Sequence, residues 1–492
     1  MKTDFHSHVN LQAIARQEIL KEGFYPDFPQ AVLDEVMALD ENNLLSGADP
    51  AIRDLRSLLW SSIDNQESRD LDQIEVAERL PDGSIQISIG IADVDAFAPI
   101  GSATDEFAAD NSVSVYTGVE TFPMLPERLS TELTSLLPDV DRLAIVIELV
   151  ITSDGVVRTN AIYRALVRNQ AKLEYQSIGR WLDGESSVPE EVTKIAGLEG
   201  QIHLQNEATD WILALRQKQG ALEFETTEAK PVVSNGDVLN LKLQKKSRSQ
   251  YIIENFMITT NVAMASYLEE QGTPAIRRVV RKPKRWSRIV EIAQSLGESL
   301  PEEPDSQALA GFLAQQKAKD PLHFPDVSLA VVKLLGAGEY VVVLPGTIQE
   351  GHFGLAVQDY THSTAPNRRY PDLVTQRLLK ATLSSSPMPY TQDELERLAE
   401  HCEERQSAAR KVERFMRKVI AAEMLNEKIG EVFEAIVTGI TNKGTFVRLL
   451  SPPAEGKVVR GESGLDVGDK IRVRLLATEP EKGFIDFAHL PD

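Results

Sequence analysis

The sequence has a single cysteine, Cys402, among its 492 residues. No disulfide can form within the chain, and no zinc cluster can be built on thiolates, which fits a reducing compartment. Long apolar runs are lacking too: the longest, 143–151, is interrupted by Glu148 and is far too short to span a bilayer. The N-terminus carries no apolar segment of the signal-peptide kind. These absences predict a cytoplasmic protein that does not enter a membrane.

Positive charge is scarce as well. The chain has 52 Lys and Arg residues against 74 Asp and Glu residues, a formal net charge of −22. A uniformly basic nucleic-acid-binding surface is therefore excluded, and nucleic acid could bind only in locally basic channels. Two local clusters reverse the sign, one from Arg277 to Arg288 around Trp286 and one formed by Lys242, Lys245, Lys246 and Arg248. Each cluster is either an RNA-backbone contact or a solvated loop.

The periodicity of apolar residues divides the chain into three regions. Residues 1–47 contain two helical segments, residues 48–428 mix strands and helices, and residues 429–492 contain only short strands with glycine turns. From Ile85 to Ile91, isoleucines alternate with small or polar residues, which is typical of a half-buried strand. The last region predicts a five-stranded barrel. The fold class is therefore α+β and multidomain, with a small helical N-terminal region, a mixed α/β catalytic domain and a C-terminal all-β OB barrel.

A long helix is predicted to start after Thr391. Glu394 follows Thr391 at the spacing of a capping box. The apolar seam of this helix includes Cys402, so we interpret the cysteine as a small buried hydrophobe rather than a reactive thiol.

The most informative segment is 62–73, which places Asp64, Asp70 and Asp72 immediately before an apolar strand. Hard divalent cations such as Mg²⁺ prefer carboxylate oxygens and retain several waters. Phosphoryl-transfer sites gather carboxylates so that metal ions can activate water and neutralise the leaving oxygen. From the spacing alone, a solvated acidic loop is the alternative.

A second segment, 364–373, complements the first. Pro366 prevents a helix from starting earlier, and Arg368 with Arg369 can clamp a phosphate in a fork geometry. A phosphate clamp and an acidic metal site are two halves of one phosphodiester chemistry. Taken alone, two arginines at a helix start would be plain surface charge.

Six pieces of sequence, spread over residues 53–425, follow one another in the order of a known family. They are Ser62-Ile63-Asp64 with Arg69-Asp70-Leu71-Asp72, Gly90-Ile91-Ala92-Asp93-Val94, Ser114-Val115-Tyr116 with Pro123-Met124-Leu125-Pro126, Gly220-Ala221-Leu222, Ile253-Glu254-Asn255-Phe256-Met257, and Arg368-Arg369-Tyr370. In these pieces the chain resembles the ribonuclease II family of 3′ to 5′ exoribonucleases, called the RNB family after its catalytic domain. The C-terminal barrel resembles the S1-type OB-fold that usually ends such proteins, and the short N-terminal region resembles the abbreviated bacterial form.

The resemblance implies that two Mg²⁺ ions take part in catalysis. It also implies that three carboxylates hold or orient these ions: Asp64, Asp70 and Asp72. Asp72 is also a candidate catalytic residue. The family has a fourth aspartate where this chain has Gln73, so Gln73 is a metal-ligand candidate that carries no charge. We expect metal affinity to be lower as a result, because carboxylate charge chiefly holds hard cations. Glu67 or Glu75 could compensate, and the sequence does not say which of them points inward.

The resemblance also places two tyrosines and a glutamate at the RNA 3′ end. Tyr116 and Tyr175 can each stack on a base while the hydroxyl reaches a phosphate, and Tyr175 is a candidate catalytic residue as well. Glu254 corresponds to a glutamate that reaches the 3′-terminal ribose or its phosphate. Because Glu254 lies in an otherwise apolar stretch, we expect it to be buried.

Arg368 resembles the family's catalytic arginine, whose guanidinium neutralises charge that develops on the scissile phosphate. Its neighbour Arg369 is an RNA-binding candidate that would also suit structural support. Glu413 matches a glutamate on the long C-terminal helix and is a further catalytic candidate, although it could simply pair with Arg414.

In the C-terminal barrel, Phe433 and Phe446 are candidates for stacking on single-stranded bases, with core packing as an equal alternative. Together these residues predict a Mg²⁺-dependent hydrolytic 3′ to 5′ exoribonuclease, a monomer that degrades single-stranded RNA to nucleoside 5′-monophosphates. The alternative is a catalytically inactive RNA-binding regulator that keeps the fold. Gln73 favours this alternative, and retention of the aspartates and Arg368 argues against it.

Overall fold

The computed structural model describes the backbone of residues 9–40, 51–225, 229–234, 237–243, 246–321, 323–347 and 351–491. Side chains are described in the same ranges except 229–234 and 237–243. Within these ranges, no helix is both long enough and apolar enough to cross a membrane.

Helices occur along the whole described chain. In order, they are α1 (Leu11–Lys21), α2 (Gln30–Ala38), α3 (Ala103–Asn111), α4 (Tyr175–Leu182), α5 (Glu190–Thr193), α6 (Leu198–Lys218), α7 (Arg248–Glu270), α8 (Trp286–Ser295), α9 (Ser306–Lys319), α10 (Phe324–Leu335), α11 (Tyr370–Leu383) and α12 (Gln392–Asn426). The predicted capping box of Thr391 and Glu394 is present at the start of α12. Cys402 on α12 is buried, as predicted, and burial raises the pKa of its thiol to about 12, which disfavours the reactive thiolate.

The strands build one large sheet, a C-terminal barrel and smaller ribbons. They are β1 (Arg53–Asp54), β2 (Trp60–Asp64), β3 (Gln73–Arg79), β4 (Ile85–Ala92), β5 (Val115–Tyr116), β6 (Thr121–Phe122), β7 (Asp141–Ile151), β8 (Val157–Glu174), β9 (Ala229–Ser234), β10 (Asp237–Leu243), β11 (Ala275–Val279), β12 (Glu339–Val343), β13 (Val432–Thr441), β14 (Gly444–Leu449), β15 (Glu455–Arg460), β16 (Lys470–Glu479) and β17 (Phe484–Leu490).

The large sheet has the strand order β1-β8-β2-β3-β4-β7, and the long strand β8 makes it curl back on itself. Residues 157–168 of β8 pair antiparallel with β7, and residues 169–174 pair parallel with β2. β2 ends at Asp64, and its antiparallel neighbour β3 begins at Gln73. The acidic segment is therefore the loop that joins two adjacent strands at one end of the sheet.

Strand β4 corrects one expectation, because it is buried on both faces rather than half-buried. Its isoleucines lie in a core that includes residues of α6 and α7, such as Ile202 and Phe256. The other face of β4 carries small residues because space there is tight. A side chain at Gly90 would meet the Ile74 Cγ1 atom at 3.1 Å and the Ala144 Cβ atom at 3.6 Å.

The predicted five-stranded barrel is confirmed, with the closed order β13-β14-β15-β17-β16. It shares one apolar cluster with two helices, through Ile19 of α1, Val419 of α12 and barrel residues such as Phe487. The turn before β17 packs closely on α12: Gly483 has a φ of +65°, and a Cβ atom there would lie 2.8 Å from the Lys418 Cβ atom. The barrel is therefore joined to the large domain through a common core.

Candidate active site

The β2–β3 loop is fixed by side chains from outside it. The Lys172 Nζ atom, on β8, donates to the carbonyl oxygens of Gln66 and Ser68 at 2.8 and 2.6 Å. The Ser135 hydroxyl donates to the Arg69 carbonyl oxygen at 2.7 Å and accepts from the Leu71 N–H at 2.9 Å. These bonds hold the backbone on both sides of Asp70, so the carboxylates of this loop are presented in a defined arrangement.

A cavity of about 290 Å³ lies at the end of the sheet over this loop. Seven of the predicted site residues line it: Asp64, Asp70, Asp72, Gln73, Tyr116, Tyr175 and Arg368. They come from the β2–β3 loop, from β5, from the start of α4 and from the segment before α11. Residues more than 290 positions apart in the sequence thus meet at one site.

Asp72 and Arg368 form the central ion pair of this cavity. The Arg368 Nε atom donates to the Asp72 Oδ2 atom at 3.0 Å, and the backbone N–H of Asn367 donates to Oδ1 at 3.2 Å. Asp72 is only 2% exposed. Burial raises the pKa of Asp72 to about 6, and the charge of Asp70 adds to this effect while Arg368 opposes it. The Asp72 carboxylate therefore depends on nearby positive charge to remain ionised.

The other two aspartates have mixed surroundings. The Asp64 Oδ1 atom accepts from the Asn65 N–H at 2.7 Å and from the Ser68 hydroxyl at 2.9 Å. The Tyr116 hydroxyl lies 3.4 Å from the Asp70 Oδ2 atom. Burial raises the pKa of Asp70, and the charge of Asp64 contributes to the rise. Negative charge therefore accumulates at this end of the sheet.

The donor set of the cavity fits a hard divalent cation chemically. Its carboxylate and amide oxygens are ligands that Mg²⁺ accepts, and Mg²⁺ keeps several waters of its own. Among the described residues, however, no three His, Cys, Asp or Glu side chains are grouped closely enough to hold an ion by themselves. The arrangement therefore suits an ion that retains waters better than a closed cage.

Gln73 and its two possible compensators occupy different environments. Gln73 is 7% exposed and lines the cavity. Glu67 is exposed, whereas Glu75 is completely buried on the same strand as Gln73. Burial raises the pKa of Glu75 well above its usual range, and the charge of Asp64 adds to the rise.

Both tyrosines of the cavity keep neutral phenols. Burial raises the pKa of Tyr116 and of Tyr175, and the nearby carboxylates raise both further. The backbone carbonyl of Tyr175, at the start of α4, accepts from the Ser249 hydroxyl of α7 at 2.6 Å. This bond ties the backbone of Tyr175 to α7, whose residues Ile253 and Met257 line the cavity.

Five predicted site residues lie outside the lining, three in or beside the large domain and two in the barrel. Glu254 on α7 is exposed and pairs with Lys246, so the expected burial is wrong. The Arg369 guanidinium donates to the Asp372 Oδ1 atom at 2.7 Å, which suits structural support. The Glu413 Oε1 atom lies 3.4 Å from the backbone nitrogen of Tyr116, so Glu413 contacts the backbone of a lining residue.

Five further residues line the cavity that were not predicted as site residues: Asn65, Ser68, Ile253, Met257 and Thr364. The helical spacing of Ile253 and Met257 could have identified these two residues. Ile253 and Met257 are four residues apart and share one face of α7, whereas Glu254 points away from that face. The apolar pair, rather than the glutamate between them, forms the cavity wall.

Two residues of the first basic cluster are structural, whereas its other five basic residues are exposed: Arg281, Lys282, Lys284, Arg285 and Arg288. Arg277 pairs with Glu269 and Asp359, and Arg278 pairs with Glu403. Both arginine side chains are 7% exposed, so an RNA-backbone contact is wrong for them. In the second cluster, Arg248 pairs with Asp210 and Lys246 with Glu254. Lys245 and the side chain of Lys242 lie outside the described residues.

The two barrel phenylalanines lie on neighbouring strands with different surroundings. Phe433 packs against the cluster shared with α12, which favours the core alternative. On β14, Val447 and Leu449 point into the core, so the alternating residue Phe446 lies on the outer face. Phe446 is half-buried there and pairs across the ladder with Lys457.

The chain matches two known domain families. Residues 52–385 match the RNB domain, and residues 431–490 match the RNase II-type exonuclease C-terminal S1 domain. The chain therefore belongs to the RNB family, and its barrel is an S1 domain. This match confirms the predicted family and fold.

Individual relatives are ribonucleases R. Ribonuclease R 1 of Lactococcus lactis is 29% identical over 98% of this chain and 61% of the relative, so the chain spans about three fifths of that protein. Ribonuclease R of Thermotoga maritima is 30% identical over 94% of this chain and 68% of the relative. Mycoplasma genitalium RNase R, solved in complex with ribose methylated single-stranded RNA, shares the fold with a TM-score of 0.87 at 22% identity, over 98% of this chain and 78% of that one.

Proposed function

We propose that the chain is a Mg²⁺-dependent 3′ to 5′ exoribonuclease that hydrolyses single-stranded RNA to nucleoside 5′-monophosphates. The observation that carries this proposal is the convergence of three aspartates, two neutral tyrosines and one arginine on a single cavity, in a chain of the RNB family. The cavity of about 290 Å³ is at the small end of the size range of ligand pockets. A cavity of this size suits the terminal nucleotide of an RNA strand better than an internal stretch of the strand.

Some of the cavity residues bind the RNA end, and others stabilise charge on the scissile phosphate. Ile253 and Met257 supply an apolar wall, and Tyr116 and Tyr175 supply rings for stacking with hydroxyls that donate to a phosphate oxygen. Arg368 stabilises charge on the scissile phosphate, with its guanidinium plane held through the Nε bond to Asp72.

Asp64, Asp70, Asp72 and Gln73 would hold the divalent cation, which supplies an activated water and neutralises the leaving 3′ oxygen when bound. Asp72 serves both partners, because it faces the cation site and orients Arg368. The buried position of Asp72 strengthens its interaction with Arg368, since charges interact more strongly in a medium of low dielectric constant.

The alternative is an inactive RNA-binding protein with this fold, and Gln73 is the residue that favours it. RNA labelled at the 5′ end separates the two proposals when it is incubated with Mg²⁺ and with EDTA. We expect shortening from the 3′ end only with Mg²⁺, and no shortening with Asp72→Asn. Tight RNA binding without shortening in Mg²⁺ would favour the inactive alternative.

A further inference from the structure

Glu75 is a buried carboxylate without a partner. Its residue is 0% exposed, and neither of its carboxylate oxygens has a hydrogen-bond partner among the described residues. Burying a charged carboxylate without a partner is unfavourable by several kcal/mol or more. The position therefore requires either a bound proton or a partner of positive charge.

The same domain shows how its other buried acids are satisfied. Asp93, which is 1% exposed, accepts from Arg164 at 3.0 Å and from Lys380 at 2.9 Å. Asp372, which is 0% exposed, accepts from Arg369 and from the backbone N–H of Ala365. Glu75 lacks any comparable donor in the described chain, so it differs from the structural carboxylates.

The surroundings of Glu75 connect it to the cavity. Glu75 and Gln73 lie two residues apart on β3, so their side chains share one face of the sheet. Ser61 is directly opposite Glu75 on β2, and its hydroxyl is also without a partner among the described residues. Glu75 lies close enough to Asp64 and to the phenol of Tyr175 for electrostatic interaction with both, and both of those residues line the cavity.

We propose that Glu75 supplies the divalent-cation site with the carboxylate charge that Gln73 lacks. Glu67 does not serve this purpose, because its side chain is exposed to solvent. The proposal rests on the proposed function for the existence of the site, and it assigns to this chain a carboxylate two residues further along the strand. Glu75 is not itself a lining residue of the cavity, and it lies next to the lining residue Gln73 on the same face of β3.

Binding of Mn²⁺ to the RNA-free protein, followed by electron paramagnetic resonance, tests the proposal without an activity readout. We expect Glu75→Gln to weaken Mn²⁺ binding by roughly 10- to 100-fold. Glu67→Gln is the matched control, because it removes a nearby acid that is exposed, and its affinity should equal that of the wild type. Equal affinities of the wild type and Glu75→Gln would overturn the proposal.

A rescue variant sharpens the test. Gln73→Asp added to Glu75→Gln returns a carboxylate to the cavity and should recover most of the lost affinity. If this double variant binds Mn²⁺ no better than Glu75→Gln, the idea that a carboxylate at position 75 replaces one at position 73 is contradicted.

Thermal unfolding supplies a second readout. In EDTA, Glu75→Gln should be at least as stable as the wild type, because a buried unpartnered carboxylate has been removed. Mg²⁺ should raise the melting temperature of the wild type more than that of the variant. An equal rise in both proteins would count against the proposal, as would loss of folding by Glu75→Gln in EDTA, because Glu75 would then be a structural residue.

The two hypotheses fail separately. If the wild type shortens RNA with Mg²⁺ but Glu75→Gln binds Mn²⁺ normally, the exoribonuclease proposal stands and the role of Glu75 is wrong. If the wild type leaves RNA intact while Glu75→Gln loses Mn²⁺ affinity, the cation site stands and the exoribonuclease proposal is wrong.

Discussion

The cavity of the RNB domain and the outer face of the barrel are both candidates for contact with RNA, but they are built in opposite ways. In the cavity, Asp72 is 2% exposed and is held by donors from a segment almost 300 residues away. On the barrel, Phe446 is half-buried on an outer face beside Lys457, and both come from adjacent strands. A charged group that acts on a reacting phosphate must be held in a defined position, and burial with several hydrogen bonds does this for Asp72. An aromatic ring that only stacks on a base, as Phe446 could, does not need to be held in this way.

The largest effect should follow from breaking the cavity at Asp72. Asp72→Asn keeps an acceptor for the Asn367 N–H but removes the charge that faces Arg368 and the cation site. We expect the single-turnover cleavage rate to fall by about 10²- to 10³-fold or more, with RNA affinity largely unchanged. Rates on a short oligomer and filter binding in EDTA measure the two quantities, with Glu67→Gln as the control. Parallel losses in rate and affinity would argue that Asp72 is a general structural residue.

Arg368 should give the next largest effect. Arg368→Lys replaces a planar fork with a point charge, so we expect a loss of about 10²-fold in cleavage rate. Arg369→Lys is the matched control, since its guanidinium contacts Asp372 outside the cavity, and it should change stability more than rate. The opposite ranking of the two variants would move the catalytic role to Arg369.

The same contrast explains what could be predicted from the sequence. The barrel, α1 and the capping box at Thr391 follow from local patterns, and the structure confirms them. The ion pairs of Arg277 and Arg278 were not predicted, because their partners lie on distant segments that no local pattern connects. Glu75 was predicted only as one of two possible compensators, since its burial and the lack of a hydrogen-bond partner within the described ranges become visible only in the folded chain.

Substitutions at the two barrel phenylalanines should have smaller effects, one on RNA affinity and the other on stability. If Phe446 stacks on a base, Phe446→Ala should weaken binding of long RNA by about 1–3 kcal/mol and leave cleavage of short oligomers unchanged. Phe433→Ala should instead lower the melting temperature, because Phe433 packs against the shared core. Point substitutions are preferable to removal of the barrel from Gly430, which would expose the apolar side of α12. Unchanged affinity for long RNA in Phe446→Ala would show that this face does not hold RNA.

Acid should produce the smallest effect and should act through the large domain. Burial lowers the pKa of His352 to about 4 and that of His362 well below its usual range, and the charges of Arg278 add to both shifts. Because the folded protein disfavours the protonated rings, their contribution is present above pH 6.5 and is lost as the pH falls toward 4. His352→Asn retains an acceptor for the Leu355 N–H and should reduce the fall in melting temperature by a few degrees over this range. If the melting temperature of His352→Asn depends on pH as that of the wild type does, His352 does not cause the loss of stability in acid.

The central claim is that this cavity hydrolyses RNA from its 3′ end. Mass spectrometry of the products formed from single-stranded RNA in oxygen-18 water tests it most directly, with wild type and Asp72→Asn compared in the presence of Mg²⁺. We predict nucleoside 5′-monophosphates with one oxygen-18 atom in the phosphate for the wild type, formed at least about 100 times faster than by Asp72→Asn. Products without oxygen-18, or labelled products formed at the same rate by both proteins, would contradict this claim.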